Sequence, residues 1–119
     1  MDTKQLSDLT IAALEELKGQ DIVCLDVKGL TQITDFMIIV TGTSTTHLRS
    51  LADEVGKRVK ATGGEVLGEE GREQAEWILV DLGGVVVHIM LGRTRALYSL
   101  EDLWNFDSVS TNSGTEGED

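Results

Sequence analysis

The chain has 119 residues, 40% hydrophobic and 26% charged, with 13 glycines, no proline, one cysteine and a formal net charge of −11. That is the length of one domain with a core of its own, and it is too apolar to be a disordered chain. An excess of 21 acids over 10 bases argues against a general nucleic-acid binder, which neutralises phosphates with clustered Lys and Arg.

Leu6, Leu9, Ala13, Leu14 and Leu17 recur at helical spacing, with Lys4, Asp8, Glu15, Glu16 and Lys18 mostly between them. This predicts an amphipathic helix that ends at Gly19. Met1 to Lys18 carries scattered acids and no apolar block, so no secretion signal is expected. Asp21 to Val27 is rich in β-branched residues and reads as a strand. Cys24 lies inside it and is expected to be a small buried hydrophobe. A lone cysteine excludes an internal disulfide and a multi-cysteine metal site, and fits a reducing, cytoplasmic setting.

Lys28-Gly29 marks a turn. Thr34 to Thr41 is a second strand, apolar enough to be buried on both faces. The longest uncharged stretch, Phe36 to Leu48, is too short for a membrane span of ~20 residues. Gly42-Thr43-Ser44 breaks the strand, and Thr43 or Ser44 can cap a second helix. That helix has Leu48, Leu51, Ala52, Val55 and Val59 on one face, and His47 in its first turn is expected to face solvent. Gly63-Gly64 stops it. Glu65 to Leu67 is a short strand, and Gly68 to Gln74 an acidic loop.

Glu76 to Leu82 and Val85 to Leu91 flank Gly83-Gly84, a strong hairpin signal because the tight turn needs positive φ. Thr94 to Phe106 is expected to be a last helix with Leu97, Leu100, Leu103 and Trp104 inward. Residues 107–119 are expected to be an acidic, disordered tail after a domain spanning 1–106. From Asn105 onward there are four acids and no base, leaving 17 acids against 10 bases, or −7, for the other 104 residues. The order α-β-β-α-β-β-β-α predicts an α/β class: a mixed sheet of about five strands flanked by helices.

A two-residue turn at Gly83-Gly84 sets the hairpin's register. Ile78 then faces Ile89 and Val80 faces Val87, giving one apolar face to meet the helices. The other face pairs Asp81 with Val86, Leu79 with His88 and Trp77 with Met90. Asp81 and His88 are diagonal neighbours there, near enough for a hydrogen bond. Trp77 on Met90 is either ordinary sulfur–aromatic packing or part of a recognition patch, since interfaces favour Trp, Tyr, Met and Arg. Arg93, Arg95 and Tyr98 extend that patch.

Four chemistries can be weighed. A phosphate site at Thr41 to Ser44 would use helix N-terminal amides, but the Gly-Lys-Ser pattern is missing and a plain cap is the commoner meaning. Nucleotidyl transfer needs paired carboxylates, and neither Asp26 nor Asp81 has an Asp-x-Asp partner. A Ser44, His88 and Asp81 hydrolase lacks the nucleophile elbow. His47, His88 and Cys24 lie on separate elements without paired metal-ligand spacing.

The motifs in order resemble the ribosomal silencing factor family, also called Iojap or YbeB. They are Leu17-Lys-Gly-Gln-Asp-Ile22, Leu25-Asp-Val27, Ile33-Thr-Asp-Phe36, Thr41-Gly-Thr-Ser44 with His47, and Leu51-Ala-Asp53. Then come Gly68 with Glu70-Gly71, Trp77-Ile-Leu-Val-Asp81, Val85-Val-Val-His-Ile89, Arg95 with Leu97-Tyr98, and Leu100-Glu-Asp-Leu-Trp104. The resemblance implies a nucleotidyltransferase-like fold without catalytic residues, metal or cofactor. It implies a translational repressor that binds the large ribosomal subunit at its ribosomal protein fourteen. Such a factor blocks subunit joining sterically, lowers translation when nutrients are short, and forms a homodimer when free. The family's recognition surface falls on Trp77, Leu79, Asp81, His88, Met90, Arg95 and Tyr98. Trp77 and Tyr98 would be apolar anchors, Arg95 would meet a carboxylate or carbonyl, and Asp81 would accept from a basic side chain or orient His88. Many members end near the Leu-x-x-Leu-Trp motif, whereas this chain continues. The alternatives are a nucleotide-binding or hydrolytic enzyme using the Gly42–Ser44 loop, and an adaptor module with another partner. A −11 chain would be steered to a basic protein surface rather than to bare RNA.

Overall fold

The computed structural model describes residues 1–102. Eight elements follow in the expected order: α1 (Thr3–Glu16), β1 (Gln20–Asp26), β2 (Phe36–Gly42), α2 (Thr45–Ala61), β3 (Gly68–Glu70), β4 (Trp77–Asp81), β5 (Val85–Leu91) and α3 (Gly92–Tyr98). The strands form one mixed sheet in the order β1-β2-β5-β4-β3. β2 and β5 run parallel, and the other three pairings are antiparallel.

Local chemistry sets the helix starts. Asp2 and Gln5 form a reciprocal capping box on α1, which satisfies two amides the helix itself cannot. Ser44 caps α2 by accepting from the His47 amide at 3.0 Å. β2 is buried at every position, as its apolar run requires at the centre of a sheet.

The hairpin has the register that its turn dictates. Trp77 lies opposite Met90, Ile78 opposite Ile89, Leu79 opposite His88, Val80 opposite Val87, and Asp81 opposite Val86. Gly83 opens the turn with φ 89°, a conformation that only glycine adopts readily. The main core lies between this sheet and α1 and α2. It joins Leu14, Leu48, Leu51, Val55 and Val59 of the helices to Ile38, Val40, Ile78, Val87 and Ile89. Each large aliphatic chain fully buried there contributes about 1.5–3 kcal/mol. The opposite sheet face carries a smaller cluster of Leu25, Val27, Met37, Ile39 and Met90, with Val23, Trp77 and Leu100 against it.

Three expectations about the strands and the last helix need correction. The short strand is Gly68–Glu70, not Glu65–Leu67. It forms because the edge of β4 offers ladder partners, with Glu69 opposite Val80 and Glu70 opposite Leu79, although all three β3 residues are exposed. The last helix, expected from Thr94 to Phe106, is interrupted after Tyr98. Ser99 turns left-handed at φ 47° and its amide caps back to Arg95, so Leu97 is 76% exposed rather than inward. Cys24 is exposed. It pairs with Ile38 on the helix-covered side, but β1 is an edge strand and its outer rim stays open. Partial burial still pushes the thiol up from its ordinary range. Leu103, Trp104 and the expected tail lie outside the described residues.

Candidate docking face

Helices α1 and α2 cover one side of the sheet, so the recognition residues predicted from strand parity collect on the other. Trp77, Leu79 and Asp81 alternate along β4 on that side, with His88 and Met90 beside them on β5. Trp77 and Leu79 are half-buried. Tyr98, at the end of α3, is 54% exposed. Its ring lies 5.0 Å from the Trp77 ring at a 50° tilt, a favourable aromatic arrangement. The two rings make a single apolar ridge.

His88 lies diagonally across from Trp77. The Trp77 indole Nε1–H donates to His88 Nδ1 at 2.9 Å. An imidazole nitrogen that accepts carries no proton, so His88 is the neutral Nε2–H tautomer. Only 7% of it is exposed, and burial pushes its pKa down to about 4. The expected Asp81–His88 bond is not formed: the Asp81 carboxylate accepts from the Gly83 amide at 2.8 Å. Asp81 thus clamps the turn, and no ion pair engages it among the described residues.

Two further members of the predicted patch play supporting parts. Met90 is fully buried, so it underlies the face instead of presenting a surface. Arg95 is already engaged within the chain. Its guanidinium pairs with Glu101 at 2.8 Å and donates to the Asp21 carbonyl at 2.7 Å and to Thr41 Oγ1 at 2.9 Å. These bonds tie α3 to the start of β1 and the end of β2, and so fix where Tyr98 sits. A hydrogen bond from Arg95 also holds the Glu101 carboxyl below its usual range. The carboxylate and carbonyl assigned to Arg95 by resemblance are therefore available inside the chain.

Next to the ridge, Thr31, Ile33, Thr34, Met37, Leu79, Asp81 and Val86 line a hollow of about 250 Å³. Ile33 is 85% exposed at its rim. Strand parity could not find this wall, because Ile33 sits in the loop between β1 and β2. An apolar residue among polar neighbours in a loop was the available signal.

The enzymatic alternatives find no support in the geometry. Ser44 Oγ serves the His47 amide, Asp81 serves Gly83 and His88 serves Trp77, so the three residues of the imagined triad do not meet. The Thr43 amide of the Gly42–Ser44 turn is also committed. It donates to His47 Nδ1 at 2.9 Å, and His47 Nε2–H donates to the Leu17 carbonyl at 2.7 Å. His47 was expected to face solvent; instead it bridges the end of α1 to the start of α2. The two partners are thirty positions apart, and no local pattern announces such a bond. No helix among the described residues is long and apolar enough to cross a membrane.

Comparison with known proteins agrees with this architecture. A family model described as ribosomal silencing factor during starvation matches residues 1–118. A ribosomal silencing factor of Haemophilus influenzae is 48% identical over 99 residues, covering 83% of this chain and 97% of that one. One from Chromobacterium violaceum is 44% identical over 104 residues, covering 87% and 85%. A crystal structure of a Chromobacterium violaceum protein superposes with a TM-score of 0.87 at 44% identity, covering 88% of each chain. A Mus musculus protein named for mitochondrial assembly of the ribosomal large subunit is 33% identical over 104 residues, 46% of its length. With a family model matching nearly every residue and relatives close to half identical, this chain belongs to the ribosomal silencing factor family.

Proposed function

We propose that this chain is a translational regulator that binds the large ribosomal subunit through the sheet face opposite α1 and α2. Its contact there is ribosomal protein fourteen, and by occupying the surface where the small subunit docks it prevents joining when nutrients are short. It acts by occupancy and performs no chemistry. It works in the cytoplasm and is a homodimer when free. The observation that carries this reading is the joint one: membership of the silencing factor family, and an apolar Trp77–Tyr98 ridge beside the Ile33–Leu79 hollow on one exposed face.

Charge supports the choice of partner. A net −11 chain is repelled by bare RNA and attracted to a basic protein surface. Asp81, at the rim of the hollow, offers a carboxylate for a basic side chain. Aromatic anchors at the centre of an interface typically account for about 2 kcal/mol or more each.

The test is co-sedimentation with purified large subunits. Trp77→Glu places a charge in the ridge and should reduce binding by more than about thirtyfold, in line with an anchor of that size. A Trp77→Glu chain that folds and binds as wild type does would show that this face is not the contact.

A further inference from the structure

His88 belongs to the docking face by strand parity, yet it is 7% exposed and offers almost no surface to a partner. Its side chain does something else. Diagonal neighbours in an antiparallel pair lie roughly 7–8 Å apart, within reach of aromatic side chains, and Trp77 and His88 stand in that relation. The indole N–H uses this geometry and ends on His88 Nδ1 at 2.9 Å. The rings are 5.8 Å apart at 54°, so they meet through the hydrogen bond and not by stacking. Tyr98 closes on the indole from the α3 side at 5.0 Å. An indole held on two sides keeps one rotamer.

We infer that His88 is a positioning residue: its Nδ1 fixes the Trp77 indole in the orientation that the ribosomal partner meets. The inference rests on the docking reading proposed above. Three features support it. Asp81, the other diagonal neighbour of His88, is taken by the Gly83 amide, so among the described residues Nδ1 serves Trp77. The imidazole is neutral across the physiological range because burial opposes its charge, and a neutral ring can always accept. A large side chain held in its bound orientation before docking loses less freedom on binding, which is how a rigid anchor raises affinity.

Two near-isosteric substitutions separate acceptor from bulk. His88→Asn carries an amide oxygen near the position of Nδ1, whereas His88→Leu has similar size and no acceptor. The indole N–H of Trp77 is followed by nitrogen-edited NMR on the full chain, identified by its absence in Trp77→Phe. Affinity for purified large subunits is measured alongside. In wild type and His88→Asn the indole N–H should exchange slowly with solvent, and binding should agree within about twofold. In His88→Leu exchange should be fast and binding about tenfold weaker, the scale of a lost buried partner and a freed anchor. His88→Val serves as the acceptor-free variant if Leu at this position does not fold.

Fast indole exchange in the wild-type chain would overturn the inference. So would wild-type affinity in an acceptor-free variant whose indole exchanges fast, since the orientation would then not matter to docking. A wild-type chain that does not bind large subunits defeats the docking reading instead, and the indole measurement then shows separately whether His88 holds Trp77.

Discussion

Acid should weaken this fold through His88, and one substitution isolates the effect. The imidazole titrates near 6.5 in an unfolded chain and is pushed down to about 4 in the folded one, through burial. Between those values the unfolded state takes up a proton that the native state refuses, so the unfolded state gains as pH falls. The contribution of a neutral buried His88 is thus fully present above pH 6.5 and is lost as pH drops through the window to about 4. Each pH unit there removes about 1.4 kcal/mol, so the whole passage removes on the order of 3 kcal/mol. That is a large part of the stability of a small domain, typically about 5–15 kcal/mol. The assay is urea unfolding of wild type and His88→Asn at a series of pH values from 7 to 4.5. The Arg95–Glu101 pair also weakens in acid as Glu101 protonates, but it is common to both chains and cancels in their difference. The wild-type advantage should shrink steadily below pH 6.5. A difference that stays flat within about 0.5 kcal/mol, the ordinary error of additivity, refutes the claim that His88 is held neutral by burial.

Other substitutions probe the supports of the face. Gly71→Ala should cost about 2–4 kcal/mol in urea unfolding, because φ is 93° there and a Cβ would strike the Trp77 carbonyl; Gly83→Ala, where the added atom meets only Leu67 Cδ1 at 3.3 Å, should cost nearer 1 kcal/mol. His47→Ala should cost about 2 kcal/mol by unpairing the Thr43 amide and the Leu17 carbonyl, and hydrogen exchange should quicken at Thr43 while Ile89 stays protected. Arg95→Gln should lower stability by about 1–3 kcal/mol and loosen the Tyr98–Trp77 contact, seen as a weaker near-ultraviolet dichroism signal with the far-ultraviolet signal retained.

What the sequence reveals here depends on how local each cause is. The β4–β5 hairpin is legible to the residue, because a two-residue turn fixes register and strand parity then assigns every side chain to a face. The Ser44 cap and the α2 stripe are legible for the same reason: both are short-range patterns. β3 is not, since Gly-Glu-Glu has no strand preference and its pairing is imposed by the edge of β4. Leu67 looked like strand but is 60% exposed. Ser99 ends α3 by taking a left-handed conformation that serine rarely signals. The bond choices of the site are least visible of all. Parity places His88 between Trp77 and Asp81, and only the folded geometry shows that it serves Trp77 while Asp81 serves the turn. Arg95 looks like a free interface arginine until β1 and β2 bring Asp21 and Thr41 beside it.

The proposed function has the Trp77–Tyr98 face keep the ribosomal subunits apart. Sucrose-gradient sedimentation of purified large and small subunits, with increasing amounts of the chain, tests it most directly. Tyr98→Glu, at a position 54% exposed and so tolerant of substitution, is the comparison. Wild type should migrate with free large subunits and deplete joined ribosomes, and Tyr98→Glu should leave joining intact. Undiminished joining at saturating wild-type chain, or equal inhibition by Tyr98→Glu, would contradict the proposed function.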